Sequence, residues 1–329
     1  MAAMALSVLV QGCGPHAPEV VVYTALDELY SKPILDDFEA QTGIHVRALY
    51  DTEASKTTGL VSRLMAERNR PRADVFWNNE VAQTILLKNA DALDPYQSPS
   101  AENIPAQFKD SNGYWTGFAA RARVIIYNTD LTDDPPRTFE AFTDPKWRGK
   151  LAIARPLFGT TATHAAALFS LWGDEKARAF LSVIRANDIA ILAGNATVRD
   201  RVAAGEFVAG LTDTDDANGA VEDGKPVKWH FPDQGPEALG TLLIPNTVAL
   251  IRGAPNADAG RQLIDYLLSP AVEGRLAQGR SIQIPLNAGV TPDHNAPPLD
   301  EIRTMAVDWD AVANALPRSI TFVKETFVR

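Results

Sequence analysis

Cysteine is almost missing from this chain: Cys13 stands alone in 329 residues. An internal disulfide and a cysteine-rich zinc centre are therefore excluded. Histidine is sparse too, and His16, His45, His164, His230 and His294 form no close-spaced ligand pair. Positive charge falls short, with 31 Lys and Arg against 41 Asp and Glu for a net charge of −10. A nucleic-acid partner needs a basic footprint that this balance does not supply. The common catalytic signatures are also lacking: no G-x-S-x-G, no G-x-x-x-x-G-K-[ST], no G-x-G-x-x-G after a strand and no H-E-x-x-H. An enzyme, for instance a metal-dependent hydrolase using carboxylates, is left as a distant alternative, and no catalytic cofactor is expected.

The length fits two hydrophobic cores rather than one. The start, "MAAMALSVLVQGCGPHAPE", is a short apolar run followed by Gly-Cys-Gly and a Pro-rich stretch. It is too short to span a bilayer but matches the apolar part of an export signal. Val10-Gln11-Gly12-Cys13 resembles a bacterial lipoprotein cleavage motif, so residues 1–18 are expected to be a signal segment with Cys13 lipidated.

From residue 19 strands alternate with helices. "EVVVYTA", "IHVRALY" and "ADVFW" read as strands separated by the helices "SKPILDDFEAQT" and "TTGLVSRLMAERNR". This βαβαβ opening predicts an α/β fold with a mostly parallel sheet. "ARVIIYN", "KLAIA", "DIAILAG", "FVAGLTD" and "TVALIRG" continue the strands, and "THAAALFSLWG" and "TVRDRVAAGE" the helices. The tail is helical in composition as far as Pro317. The regions "GFAARARVIIYN" and "LLIPNTVAL" are candidate crossings between two lobes. They predict one lobe from 19–120 plus 246–290 and another from 121–245 plus 291–329.

Ligands in open α/β sheets sit beyond the carboxyl ends of the strands. Acids occupy that position after three predicted strands: Asp27, Glu80, and the trio Asp213, Asp215 and Asp216. Converging carboxylates suit a hard cation with oxygen ligands. The trio does not follow calcium-loop spacing, because the sixth position from Asp213 is Asn218 and the twelfth Gly224. Gly159, Thr160 and Thr161 open a helix, as does Asn195, and both places suit an oxyanion. Arg121 and Arg123 alternate along a strand, and only one of them is expected to face the cleft. Plainer roles compete: Asp213 ending a strand, Thr160 and Thr163 as helix caps, an arginine merely neutralising the acids.

The order "VVVYTAL…ILDDFEAQTGIHV", "RADVFW", "GYWTGFAARARVIIYN", "FTDPKWRGKLAIA", "GTTATHAAAL", "VAAGEFVAGL", "LIPNTVALIRGAPN" and "AGRQLIDYLLSPAVEGRLA" resembles the ferric-iron-type solute-binding proteins of bacterial ABC importers. The resemblance runs from about residue 19 to about residue 290. It implies a two-lobed type II periplasmic binding fold, each lobe a mixed sheet flanked by helices, closing on a ligand between them. It further implies a monomer, held outside the cytoplasm by Cys13, that delivers its ligand to an ABC permease. Ferric members carry two adjacent tyrosines where this chain has Asp215 and Asp216, and a tyrosine or histidine where it has Asp27. Asp27, Glu80, Asp215 and Asp216 are then expected to hold a hard cation such as Fe³⁺ or Ca²⁺ in an acidic cleft. An accompanying oxyanion falls to Arg123, Gly159, Thr160, Thr161 and Asn195, with Asp213 beside it. Relatives without the tyrosines also bind sugar phosphates. In that alternative the phosphate sits on Thr160 and Thr161, and the aspartates hold hydroxyls.

Overall fold

The computed structural model describes residues 17–51, 58–291 and 298–327. Cys13 and the apolar run before it lie outside the described residues.

The β-branched run at the start becomes β1 (Glu19–Thr24), with Val20 and Val22 wholly buried. Two strands lie parallel on either side of it, β2 (His45–Tyr50) and β3 (Val75–Asn78). Helix α1 (Glu28–Thr42) joins β1 to β2, and α2 (Thr58–Glu67) precedes β3. Next come α3 (Val81–Asn89) and the short β4 (Leu93–Asp94).

Strand β5 (Thr116–Asn128) is the longest and passes from one half of the molecule to the other. The second half contains β6 (Leu151–Ala154), α4 (Gly159–Ala186), β7 (Ala190–Leu192), α5 (Asn195–Ala203), β8 (Ala209–Asp213), α6 (Thr214–Glu222) and β9 (Val227–His230). The chain then returns through β10 (Leu243–Ile251) to α7 (Ala257–Leu267) and α8 (Pro270–Gln278). It ends in α9 (Trp309–Phe327).

Strand β5 exchanges partners midway. Up to Ala122 it pairs antiparallel with β10, and from Arg123 it pairs antiparallel with β8. The strand order is β2-β1-β3-β10-β5-β8-β6-β7, with β4 on β10 and β9 on β5. The expectation of a mostly parallel sheet is corrected here. The outer strands are parallel, but every pairing of β5 and β10 is antiparallel, because these strands run between the halves instead of returning over a helix.

One further reading needs correction. The tail helix does not stop at Pro317 but continues through it to Phe327. An internal proline costs about 3 kcal/mol, and burial of Val312, Ala313, Leu316 and Val323 along one stripe offsets it. The run after β8 forms the first turn of α6, with Asp215 and Asp216 where carboxylates favour a helix start.

Gly210 sets how closely α5 lies on β8. A Cβ there would stand 2.5 Å from Val198 Cγ1 and 2.9 Å from the Ala152 carbonyl. That close approach brings the N-terminus of α5 up to the end of β8.

Candidate functional site

The carboxyl ends of β1, β3, β6, β7 and β8 open onto one cavity of about 750 Å³. Helices α1, α4, α5 and α6 start there, and none of the four has a side-chain hydrogen bond capping its N-terminus. Their leading N–H groups therefore make the cavity wall a source of positive potential. Helices α1 and α6 carry acids in the first turn, whereas α4 and α5 carry none. The α4–α5 side is the unopposed positive pole. Gly159 turns the chain into α4 with φ at +61°, a conformation that a side chain would strain.

Asp27, Asp213, Asp215, Asp216, Gly159, Thr160, Thr161 and Asn195 all line this cavity. Oxygens of the three α6-side aspartates lie within 4.8 Å of one another.

The structure places two predicted residues elsewhere. Glu80 is buried at the start of α3 and accepts from the backbone N–H groups of Ala82 and Gln83, at 2.7 and 2.9 Å. Thr163 Oγ1 donates to it across the two halves at 2.7 Å. Both oxygens are engaged and Glu80 is not among the lining residues, so the expected cleft carboxylate is a helix cap. Burial nonetheless pushes its carboxyl up, because those hydrogen bonds offset only part of the desolvation.

One of the two arginines lines the cavity, and it is Arg121 rather than Arg123, the residue expected to hold the anion. Residues two apart on a strand share a face, and both guanidiniums reach Asp213, Arg121 at 3.4 Å and Arg123 at 2.5 Å. Arg121 lines the cavity, while Arg123 is fully buried behind the wall. There Arg123 donates to Thr160 Oγ1 (3.0 Å), Asn195 Oδ1 (3.1 Å) and Thr161 Oγ1 (3.1 Å). Thr160 Oγ1 and Asn195 Nδ2 donate in turn to Asp213 Oδ2 at 2.7 and 2.8 Å. Arg123, Asp213, Thr160, Thr161 and Asn195 thus form a buried lattice that fixes α4, α5 and α6 against one another.

Charge is distributed unevenly over the aspartates. Burial alone would raise the Asp213 carboxyl, but Arg123, Arg121 and the Thr160 hydroxyl together hold it below the usual range. Asp216 goes the other way. Burial, with Asp215 and Asp213 beside it, pushes it well above the usual range, and Arg199 at 3.5 Å offsets only part of that. Arg121 donates to the Asn79 carbonyl at 2.8 Å and stands 3.5 Å from Asp215.

Three further lining residues went unread in the sequence. Tyr30 follows Asp27 by one helical turn, and its hydroxyl is pushed up by burial and by the charges of Asp215 and Asp27. Arg199 lies one turn after Asn195, and Arg155 directly after β6. Among the described residues Arg155 has no ion pair. The strand-end rule reaches all three once cations and phenols are sought as well as acids. With Arg121 they place three arginines beside four aspartates, so the expected acidic cleft is a bipolar one.

His164 lies one turn beyond Thr160 on α4, buried, with its ring 4.9 Å from that of Phe139. Burial first and the Arg123 charge second push its imidazole down to about 3. The unfolded chain therefore binds this proton more readily, and stability present above the ordinary histidine value of 6.5 is lost as pH falls towards 3. Replacing His164 with leucine is expected to remove that acid sensitivity. Urea unfolding at about pH 4 should show a gain of about 3 kcal/mol over the parent, relative to their difference at neutral pH. Parallel pH profiles for the two proteins would contradict this assignment.

Known proteins resemble the whole molecule. Iron uptake protein A1 of Synechocystis is 28% identical over 92% of this chain and 84% of its own length. A putative 2-aminoethylphosphonate-binding periplasmic protein of Salmonella typhimurium is 26% identical over 96% of this chain and 95% of its own. The iron-bound HitA structure of Pseudomonas aeruginosa superposes with a TM-score of 0.84 at 23% identity, covering 94% of this chain and 99% of that one. Its fold is the two-lobed type II periplasmic binding fold. The family model for bacterial extracellular solute-binding proteins matches residues 34–301, and the chain belongs to that family.

Proposed function

We propose that the protein captures a small organic anion bearing a phosphoryl or phosphonyl group outside the cytoplasm and presents it to an ABC permease. The α4–α5 wall carries this reading. Two helix N-termini without side-chain caps converge there, flanked by Arg199 and by Arg155, which has no ion pair among the described residues. Backbone N–H groups and guanidinium forks are donors that a tetrahedral oxyanion takes. The opposite wall, with Asp27, Asp215 and Tyr30, suits the hydroxyls or the ammonium group of such a solute. A cavity of about 750 Å³ suits a molecule of that kind better than a bare ion. The phosphonate named for the Salmonella relative fits the same description.

A second reading, ferric iron with an accompanying oxyanion, is favoured by the clustering of Asp213, Asp215 and Asp216 and by the iron-uptake relative. A thermal-shift series separates the two. A ligand that binds only the folded state stabilises it by about 2.7 kcal/mol at a hundredfold excess over Kd. In EDTA, 2-aminoethylphosphonate or a hexose phosphate is expected to raise Tm by several degrees. A rise with ferric citrate alone, and none with any phosphorus ester or phosphonate, would overturn the preferred reading.

A further inference from the structure

Arg121, on β5, is buried to 7% exposure among four aspartates. Its Nη1 stands 3.4 Å from Asp213 Oδ2 and 3.5 Å from Asp215 Oδ2. The charges of Asp215, Asp213, Asp27 and Asp216 all act on it, and they outweigh the cost of its burial. Its Nη2 donates to the Asn79 carbonyl, which belongs to the loop after β3 in the other half of the molecule. The guanidinium is therefore held from both sides of the cavity at the point where the carboxylates converge.

We propose that Arg121 sets the ligand class of this cleft: its guanidinium stands where the three aspartates would otherwise take a cation, and so excludes metal ions in favour of solutes that carry their own oxyanion. The proposal deepens the reading of the cleft as an organic-anion site and rests on it. A hard cation needs several unopposed carboxylate oxygens at close range. Here Asp213 already faces two guanidiniums, and Asp215 faces one. A multivalent ion drawn to these oxygens would also meet the positive charge of Arg121 at about the same distance. Arg123 cannot play this part, because it lies behind the wall and does not line the cavity. Arg121 itself lines the space a solute would fill.

The test is a terbium titration of the folded, full-length protein, followed by luminescence sensitised through nearby aromatic rings such as Tyr30. The parent and Arg121→Lys, which keeps a charge in place, are expected to show only weak background binding. Arg121→Gln, which keeps a donor for the Asn79 carbonyl, is expected to gain a saturable site at least about tenfold tighter. Adding Asp215→Asn to Arg121→Gln should return the signal to background, which places the gain at this cluster. A parent that binds terbium as tightly as Arg121→Gln would overturn the proposal. So would a cooperatively unfolding Arg121→Gln that gains no site, or a gain that survives Asp215→Asn. If Arg121→Gln does not fold, Arg121→Met with Asp213→Asn relieves the unpaired charge, and the same gain at Asp215 and Asp216 is required of it. Failure of the organic-anion reading is seen separately, in titration of the parent with a phosphonate.

Discussion

Replacing Arg123 with methionine is expected to destabilise the protein by about 3–5 kcal/mol, the cost of stranding one partner of a buried ion pair. Arg123 is fully buried, and it bonds to Asp213, Thr160, Thr161 and Asn195. Without it Asp213 keeps the hydrogen bonds from Thr160 and Asn195, but among the described residues its one remaining ion pair is the longer contact to Arg121, at 3.4 Å. Thr161 and Asn195 lose a donor as well, so the starts of α4 and α5 lose their common anchor. The double variant Arg123→Met with Asp213→Leu should recover much of the loss, because it removes both charges from the interior. Urea midpoints at an unchanged m-value measure both effects. A loss below about 1 kcal/mol for the single variant would mean that water reaches the pair and screens it.

A second large effect is expected from Ala196→Glu. Ala196 is half-buried in the first turn of α5 and lines the cavity. A carboxylate at a helix N-terminus is favourable by about 0.3–1 kcal/mol, so stability should hold or rise slightly. The same carboxylate would meet an incoming oxyanion at close range, where like charges near a protein surface repel by about 4 kcal/mol. Affinity for a phosphonate or phosphate ester is expected to fall about a hundredfold or more. Ala196→Gln has similar bulk without the charge and should stay within about tenfold of the parent. Equal affinity in the Glu and Gln variants would move the anion off this wall.

These effects rest on residues whose positions were readable in the sequence more often than their roles. The rule that ligands sit at strand ends brings Asp27, Asp213, Asp215, Asp216, Thr160 and Asn195 to one cavity. It needs only the βα alternation, which β-branched runs and helical spacing encode locally. The same rule misplaces Glu80, because the residues after it form α3, which the pattern did not reveal, and a carboxylate before a helix is drawn to its free N–H groups. Arg123 lay on the right strand but behind the wall. Which atoms face the cavity depends on how β5 exchanges β10 for β8 at that residue, a tertiary event without a local signature. Tyr30, Arg155 and Arg199 carry no local signature of a site. Yet each lies next to, or one helical turn from, a position already singled out. The acids at three strand ends pointed to an acidic cleft, but their positions along the chain say nothing of their local pairing. At the site, Arg121 and Arg123 neutralise much of their charge.

The direct measurement is isothermal titration of the protein, freed of metal with EDTA and kept in EDTA, with 2-aminoethylphosphonate and with a hexose phosphate. The bipolar cleft predicts saturable binding of at least one of them at one site per chain, lost in Ala196→Glu. Absence of heat from both, with binding that appears only once ferric ion is supplied, would contradict it.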